Sequence, residues 1–132
     1  MAFQNEKKFS ISVPGEFTGE LWVGDFKTKI LLSHSDDMRR DALRRELIGK
    51  TTPEHADPVA SQKATVLADL SVRITESPGW WKEKGNGFLL EDVDVIVSVY
   101  NEAIKAETEH LLAVKKKAEE SRAQLKKVEP QP

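Results

Sequence analysis

The residues of this chain best suited to chemistry are three histidines, His34, His55 and His110, and a scatter of carboxylates and hydroxyls. A zinc-binding helix needs two histidines four residues apart on one face, and no pair here has that spacing. His34 lies between Ser33 and Ser35, but a catalytic triad is assembled by the fold, and adjacency in sequence does not make one. Asp92 and Asp94 stand at the expected start of a helix, where capping and the helix dipole account for acids. Gly85-Asn-Gly87 is a turn signal; a phosphate-cradling loop needs a strand before it, a helix after it and further glycines. There is no cysteine, which removes disulfides, thiolate catalysis and sulfur-ligated metals together. The residues predict no enzyme, no cofactor and no metal site. Turnover lost on changing Asp92 or His34 would overturn that expectation.

A chain of 132 residues, 39% apolar and 32% charged, can build one folded unit with an extension but not a large cleft. Residues 1–110 are expected to form a compact domain, and residues 111–132 a charged helical extension ending in proline-containing coil. The net charge of −2 supplies no general field for nucleic acid or anionic lipid. No run of 18 apolar residues is present, so no membrane-spanning helix is expected. The opening Met-Ala-Phe-Gln-Asn-Glu-Lys-Lys lacks the apolar run of a signal peptide, and a cytosolic protein is the expectation.

The elements follow from periodicity. Lys8 to Val13 alternates, with Phe9, Ile11 and Val13 on one side, as a half-buried strand does. A second strand is expected from Phe17 to Val23 and a third from Phe26 to Leu32, with Gly24-Asp25 as punctuation between them. Trp22 and Phe26 belong to the face that packs on helices. Ser33, with an acid three residues later, approximates a capping box, and Ser35 is a competing cap. The helix from Asp36 to Ile48 places Met38, Ala42, Leu43 and Leu47 in one stripe and ends at Gly49. A polar loop with Pro53 and His55 leads to Asp57-Pro58, a cap followed by proline at the first helical position. The second helix is expected to run to Glu76 and stop before Pro78, with Ala60, Ala64, Leu67, Leu70, Ser71 and Ile74 inward. The third starts at Asp92 or Glu91. Its stripe, Val93, Ile96, Val97, Tyr100, Ala103, Ile104, Glu107, Leu111, Val114 and Ala118, runs beyond anything a domain this size could cover. The fold class is therefore α+β: a small N-terminal antiparallel sheet packed on three helices, the last long and projecting.

Contact residues are the better candidates for function. Trp80-Trp81 can serve as a recognition anchor or as a plug sealing the helical core, and Phe88 follows close behind. Arg39-Arg40 and Arg44-Arg45 form the basic patch of the folded part, with Asp36, Asp37, Asp41 and Glu46 near enough to cancel much of its field. Ile104, Leu111, Ala118 and Leu125 are seven apart, as in a coiled coil, but the second row is too weak to predict a stable isolated dimer.

Three stretches carry a resemblance. Gly19-Glu-Leu-Trp-Val-Gly-Asp-Phe-Lys27 with Leu32-Ser-His34, Arg39-Arg-Asp-Ala-Leu-Arg-Arg-Glu-Leu-Ile-Gly49, and Leu70-Ser-Val-Arg-Ile-Thr-Glu-Ser-Pro-Gly-Trp-Trp81 resemble small morphogenesis proteins of tailed bacteriophages. Leu90 to Ala103 and the charged tail are similar too, so the likeness spans about Phe9 to Glu120. It implies non-enzymatic work: tail assembly chaperone activity, or a place in the head, neck or tail of the virion. Partners would be other phage structural proteins, with self-association a further option, in the host cytoplasm during assembly or in the particle. Trp80, Trp81 and Phe88 would be the apolar anchors, Arg40, Arg44 and Arg45 the polar contacts, and Leu111 the contact on the long helix. A small nucleic-acid-binding regulator using the arginine helix is the alternative from another class.

Overall fold

The computed structural model describes residues 3–49 and 58–128, so the expectations for the 50–57 loop, with His55 and the Asp57 cap, and for the coil end lie outside the described residues. The fold is α+β, a three-stranded antiparallel sheet with four helices, the last of them long. Strand β1 spans Lys7–Pro14 and β2 spans Leu21–Thr28, with Phe9 opposite Phe26, Ile11 opposite Gly24 and Val13 opposite Trp22. These pairs form the inward face of the sheet, and Ile11, Trp22 and Phe26 are buried in the core. The outward face carries Ser10, Ser12, Val23, Asp25 and both Lys8 and Lys27. The expected break at Gly24-Asp25 does not occur, and the two strands read on either side of it are one. Glycine is required at position 24 by close approach: a Cβ there would lie 2.5 Å from Cγ of Pro78.

The third strand is not N-terminal, as the sequence reading had it. It is β3, Ile74–Glu76, which follows the second helix and pairs with Lys27 and Thr28 across an irregularity in register. Helix α1, His34–Ile48, starts at Ser33 with a complete capping box to Asp36 and ends at Gly49. Its expected apolar stripe is weakly used. Asp36 is its buried residue, and Met38 is exposed. Helix α2, Pro58–Arg73, buries Ala64, Leu67, Ala68, Leu70 and Val72. It ends three residues before Glu76 because the Arg73 carbonyl accepts from Lys29 N (2.8 Å) and the chain then joins the sheet.

Pro78 therefore does not end α2. It caps the short helix α3, Gly79–Glu83, which holds both tryptophans. Helix α4, Val93–Val128, is continuous. Its proximal half buries Val95, Ile96, Val99, Ala103 and Ala106; Ile96 and Ala103 belong to the expected stripe, but the buried face is rotated from it toward Val95, Val99 and Ala106. Val93 and Val97 are exposed. The tie between Glu16 and Asp94 and that between Lys7 and Glu109 show that α4 runs antiparallel along β1. Every side chain from Leu111 to Leu125 is exposed. At about 1.5 Å per residue, the stretch from Leu111 to Val128 reaches roughly 27 Å beyond the body.

Candidate functional site

Three constellations concentrate the specific side chains, and the first is aromatic. Trp81 is 1% exposed and meets Phe26 edge-on, with centroids 5.5 Å apart. Trp80 sits in the gap left by Gly24, 4.9 Å from Trp22 and 6.0 Å from Phe26. Its indole Nε1 donates to the carbonyl of Val23 at 2.9 Å, satisfying a group on the stretch of β2 that β3 is too short to reach. Edge-to-face geometry adds to the area these rings bury. The pair is a core plug that also closes a sheet edge, and Trp81 has no surface to offer a partner.

The second constellation is a carboxylate the sequence reading explained too simply. Asp92 is almost fully buried. Its oxygens accept from Phe17 N (2.8 Å), Thr18 N (2.9 Å), the Thr18 hydroxyl and Trp22 Nε1 (2.7 Å). Gly15 leaves room for it, since a Cβ there would fall 2.1 Å from Oδ2 of Asp92. Burial alone would raise the Asp92 pKa, but the bonds from Thr18, Trp22 and Phe17 outweigh it and lower it to about 2. With every lone-pair direction occupied, the group ties the β1–β2 turn to the start of α4 and has no free face for proton transfer. The signal available in the sequence was an acid at a helix start; its long-range partners, 70 to 75 residues away, were not.

The third is charged. Arg73, 2% exposed, donates to Asp69 through Nε (2.9 Å) and Nη2 (3.3 Å), to the carbonyl of Ile30 (3.3 Å), and approaches Glu107 at 3.7 Å. Arg40 joins the same Asp69 at 2.9 Å and Asp37 at 3.1 Å. The Asp69 bond raises the Arg40 pKa. Asp36 takes Lys29 and Arg39, and these with the Ser33 amide hold its carboxyl far below the usual range. Asp37, Arg40, Asp41, Arg44, Thr65, Asp69 and Tyr100 line a shallow cleft between α1, α2 and α4. Its cations and acids are already matched to one another.

The residues proposed from sequence are distributed over separate elements. Arg40, Arg44 and Arg45 lie on α1, and each is paired: Arg44 and Arg45 both reach Asp41, at 3.3 and 2.7 Å. Trp80 and Trp81 lie on α3, and Leu111 lies exposed on the projecting part of α4. Phe88, in the turn after α3, is half exposed and has Leu89 exposed beside it. Sequence reasoning missed Phe17 and Leu21, both exposed at the β1–β2 end of the sheet, and it missed Asp69 and Arg73 altogether. His34 is exposed at the first position of α1, and His110 stacks on Phe3 with centroids 4.5 Å apart. Among the described residues no cluster of three or more His, Cys, Asp or Glu could hold a metal, and no helix is long and apolar enough to cross a membrane. Comparison with family models, curated proteins and solved structures returned no significant match.

Proposed function

We propose that this protein works by binding other proteins, without catalysis, and that the projecting half of α4 is its principal contact element. The observation that carries this reading is the exposure of Leu111, Leu112, Val114 and Leu125 on a helix that continues past the other described elements. A helix is held in a protein mainly by the tertiary packing of its apolar face, and a string of exposed branched side chains is a surface for another chain. Phe17, Leu21, Phe88 and Leu89 provide further exposed apolar surface on the body.

The setting we propose is morphogenesis of a tailed bacteriophage, in tail or particle assembly, with other phage structural proteins as partners. That finer reading is supported by the resemblance of the three stretches quoted above. Retention in the mature virion as a head, neck or tail accessory protein is its variant. The nucleic-acid reading loses support, because the α1 arginines that carried it are all paired with acids, Arg44 and Arg45 sharing Asp41.

Photo-crosslinking residues at Leu111 and at Phe88 in the chain produced during particle assembly test the proposal. Covalent adducts to another particle protein from either site are expected. Adducts from neither, with the protein folded and abundant, would refute it. Mass spectrometry of purified particles then separates a retained component from an assembly factor.

A further inference from the structure

The arm of α4 carries an asymmetry of charge that specifies its partner. On a heptad with Leu111, Ala118 and Leu125 at a, the d positions are Val114 and Ser121. The positions flanking this seam are Lys115 and Arg122 at e, Lys117 and Gln124 at g. The acids of this segment, Glu119 and Glu120, fall at b and c, away from the seam. Among the described residues none of Lys115, Lys116, Lys117 or Arg122 pairs with an acid within 4 Å, whereas all four α1 arginines do.

The d row of this seam continues a contact already made within the chain, although Val97 in its a row is exposed. One and two heptads before Val114, the d positions are Glu107, which reaches Arg73 of α2, and Tyr100, which lines the cleft beside Asp69 of α2. Past His110 nothing in the described chain takes the place of α2. The geometry points to a helix from another protein, apolar along one face and acidic at its margins, docking on the seam from Leu111 to Leu125.

A second copy of this chain fits worse. In a parallel pair g faces the next e of the partner, setting Lys117 against Arg122. In an antiparallel pair e faces e and g faces g, and the residues available are Lys115, Arg122, Lys117 and Gln124. Neither orientation yields an attractive flanking pair, and like charges at such positions select against a pairing. A margin of Glu and Asp opposite the same residues converts each into an attraction. An RNA or DNA backbone would satisfy the cations but would leave Leu111, Val114 and Leu125 in water.

This inference rests on the contact-protein reading and narrows it to one chemistry. Its test is a fluorescence anisotropy titration of the full chain against two designed peptides of about four heptads with the same Ile and Leu seam. One carries Glu at e and g, the other Lys. The Glu peptide is expected to bind more tightly by roughly tenfold or more. The triple variant K115E/K117E/R122E should reverse the order, and L111S/L125S should abolish binding of both peptides. Raising salt from about 0.1 M to about 1 M should shrink the preference, because the screening length falls from about 10 to about 3 Å. Equal affinities, or no binding, would overturn the inference. So would sedimentation showing a dimer of the chain that L111S/L125S dissociates, or duplex nucleic acid binding more tightly than the Glu peptide. If the peptides fail while crosslinks from Leu111 persist, the acidic-helix inference falls and the contact reading stands.

Discussion

The two halves of α4 are built from similar residues and live in different surroundings. From Val93 to His110 the helix lies along β1 and against α2, with Val95, Val99 and Ala103 fully buried. From Leu111 to Leu125 it keeps apolar residues at helical spacing and buries none of them. The sheet is one strand long in that direction. Eight residues of β1 at about 3.3 Å each cover roughly 26 Å, and a helix of 36 residues at about 1.5 Å each covers roughly 54 Å. What holds the proximal half is burial, and what would hold the distal half has to come from elsewhere. Periodicity reports that a face is apolar; only the dimensions of the neighbouring elements say who covers it.

Substitutions in the body should be costly and those in the arm nearly silent for stability. The largest effect is expected at Trp81→Ala, which empties a site 1% exposed at the centre of the aromatic cluster. A loss of about 3–5 kcal/mol in urea unfolding is the expectation, and an unchanged midpoint would mean that the plug is dispensable. Arg73→Met comes next. It removes the partner that spans Asp69, Ile30 and Glu107 and should cost about 3 kcal/mol, since an acid is left buried with one fewer counter-charge. Substituting Asp69 and Arg73 together by apolar residues should recover part of that loss, which a double-mutant cycle reads directly.

Acid should act on the body through Asp92 and Asp36. The folded pKa of Asp92 is about 2, below the ordinary value of roughly 3.9 for an unfolded aspartate. Its contribution is therefore fully present above about pH 4 and is lost as the pH falls through about 2. Asp36, lowered by Lys29 first and then by Ser33 and Arg39, acts with the same sign. Thermal melts of the Asp92→Asn variant should start from a lower midpoint at neutral pH and decline less between about pH 4 and pH 2. Parallel declines in both proteins would remove Asp92 as a source of acid sensitivity.

The smallest effect is expected in the arm. Leu111→Ser and Leu125→Ser should change unfolding free energy by no more than about 0.5 kcal/mol, as surface changes do. A loss several times larger would show that the arm already packs on something.

Much of this contrast could be read in the residues. The Ser33 capping box, the β1 alternation, the start of α2 at Pro58 and the excess length of α4 are local patterns, and local patterns survive folding. The errors have a common cause. Gly24-Asp25 looked like a turn because glycine and aspartate favour turns, yet Gly24 is there to admit Pro78 and Trp80. Ile74–Glu76 looked helical because the helical stripe of α2 runs into it, and pairing with β2 captured it. The α4 stripe was real but rotated: Ile96 and Ala103 are inward as expected, with Val95, Val99 and Ala106 beside them, while Val93 and Val97 are exposed. Asp92 draws its role from partners far away in sequence, and no spacing rule could have matched them. Asp69 and Arg73 are an i,i+4 pair on α2 that helical spacing does offer; their ties to Arg40, Ile30 and Glu107 are the part that only the fold supplies. The candidate arm was visible as Leu111 and its heptad companions; the bias of its flanks acquires meaning because the α1 arginines are paired while, among the described residues, Lys115, Lys117 and Arg122 are not.

Amide hydrogen exchange along α4 in the free protein is the most direct measure of the difference between its halves. Exchange protection follows local opening free energy. The account predicts amides near Val95 to Ala106 protected close to the level of global unfolding, and a steep fall past His110 to the fast exchange of a helix held by nothing but itself. Uniform protection through Leu125 in the free chain would contradict it, because the arm would then already have the cover that the account assigns to a partner.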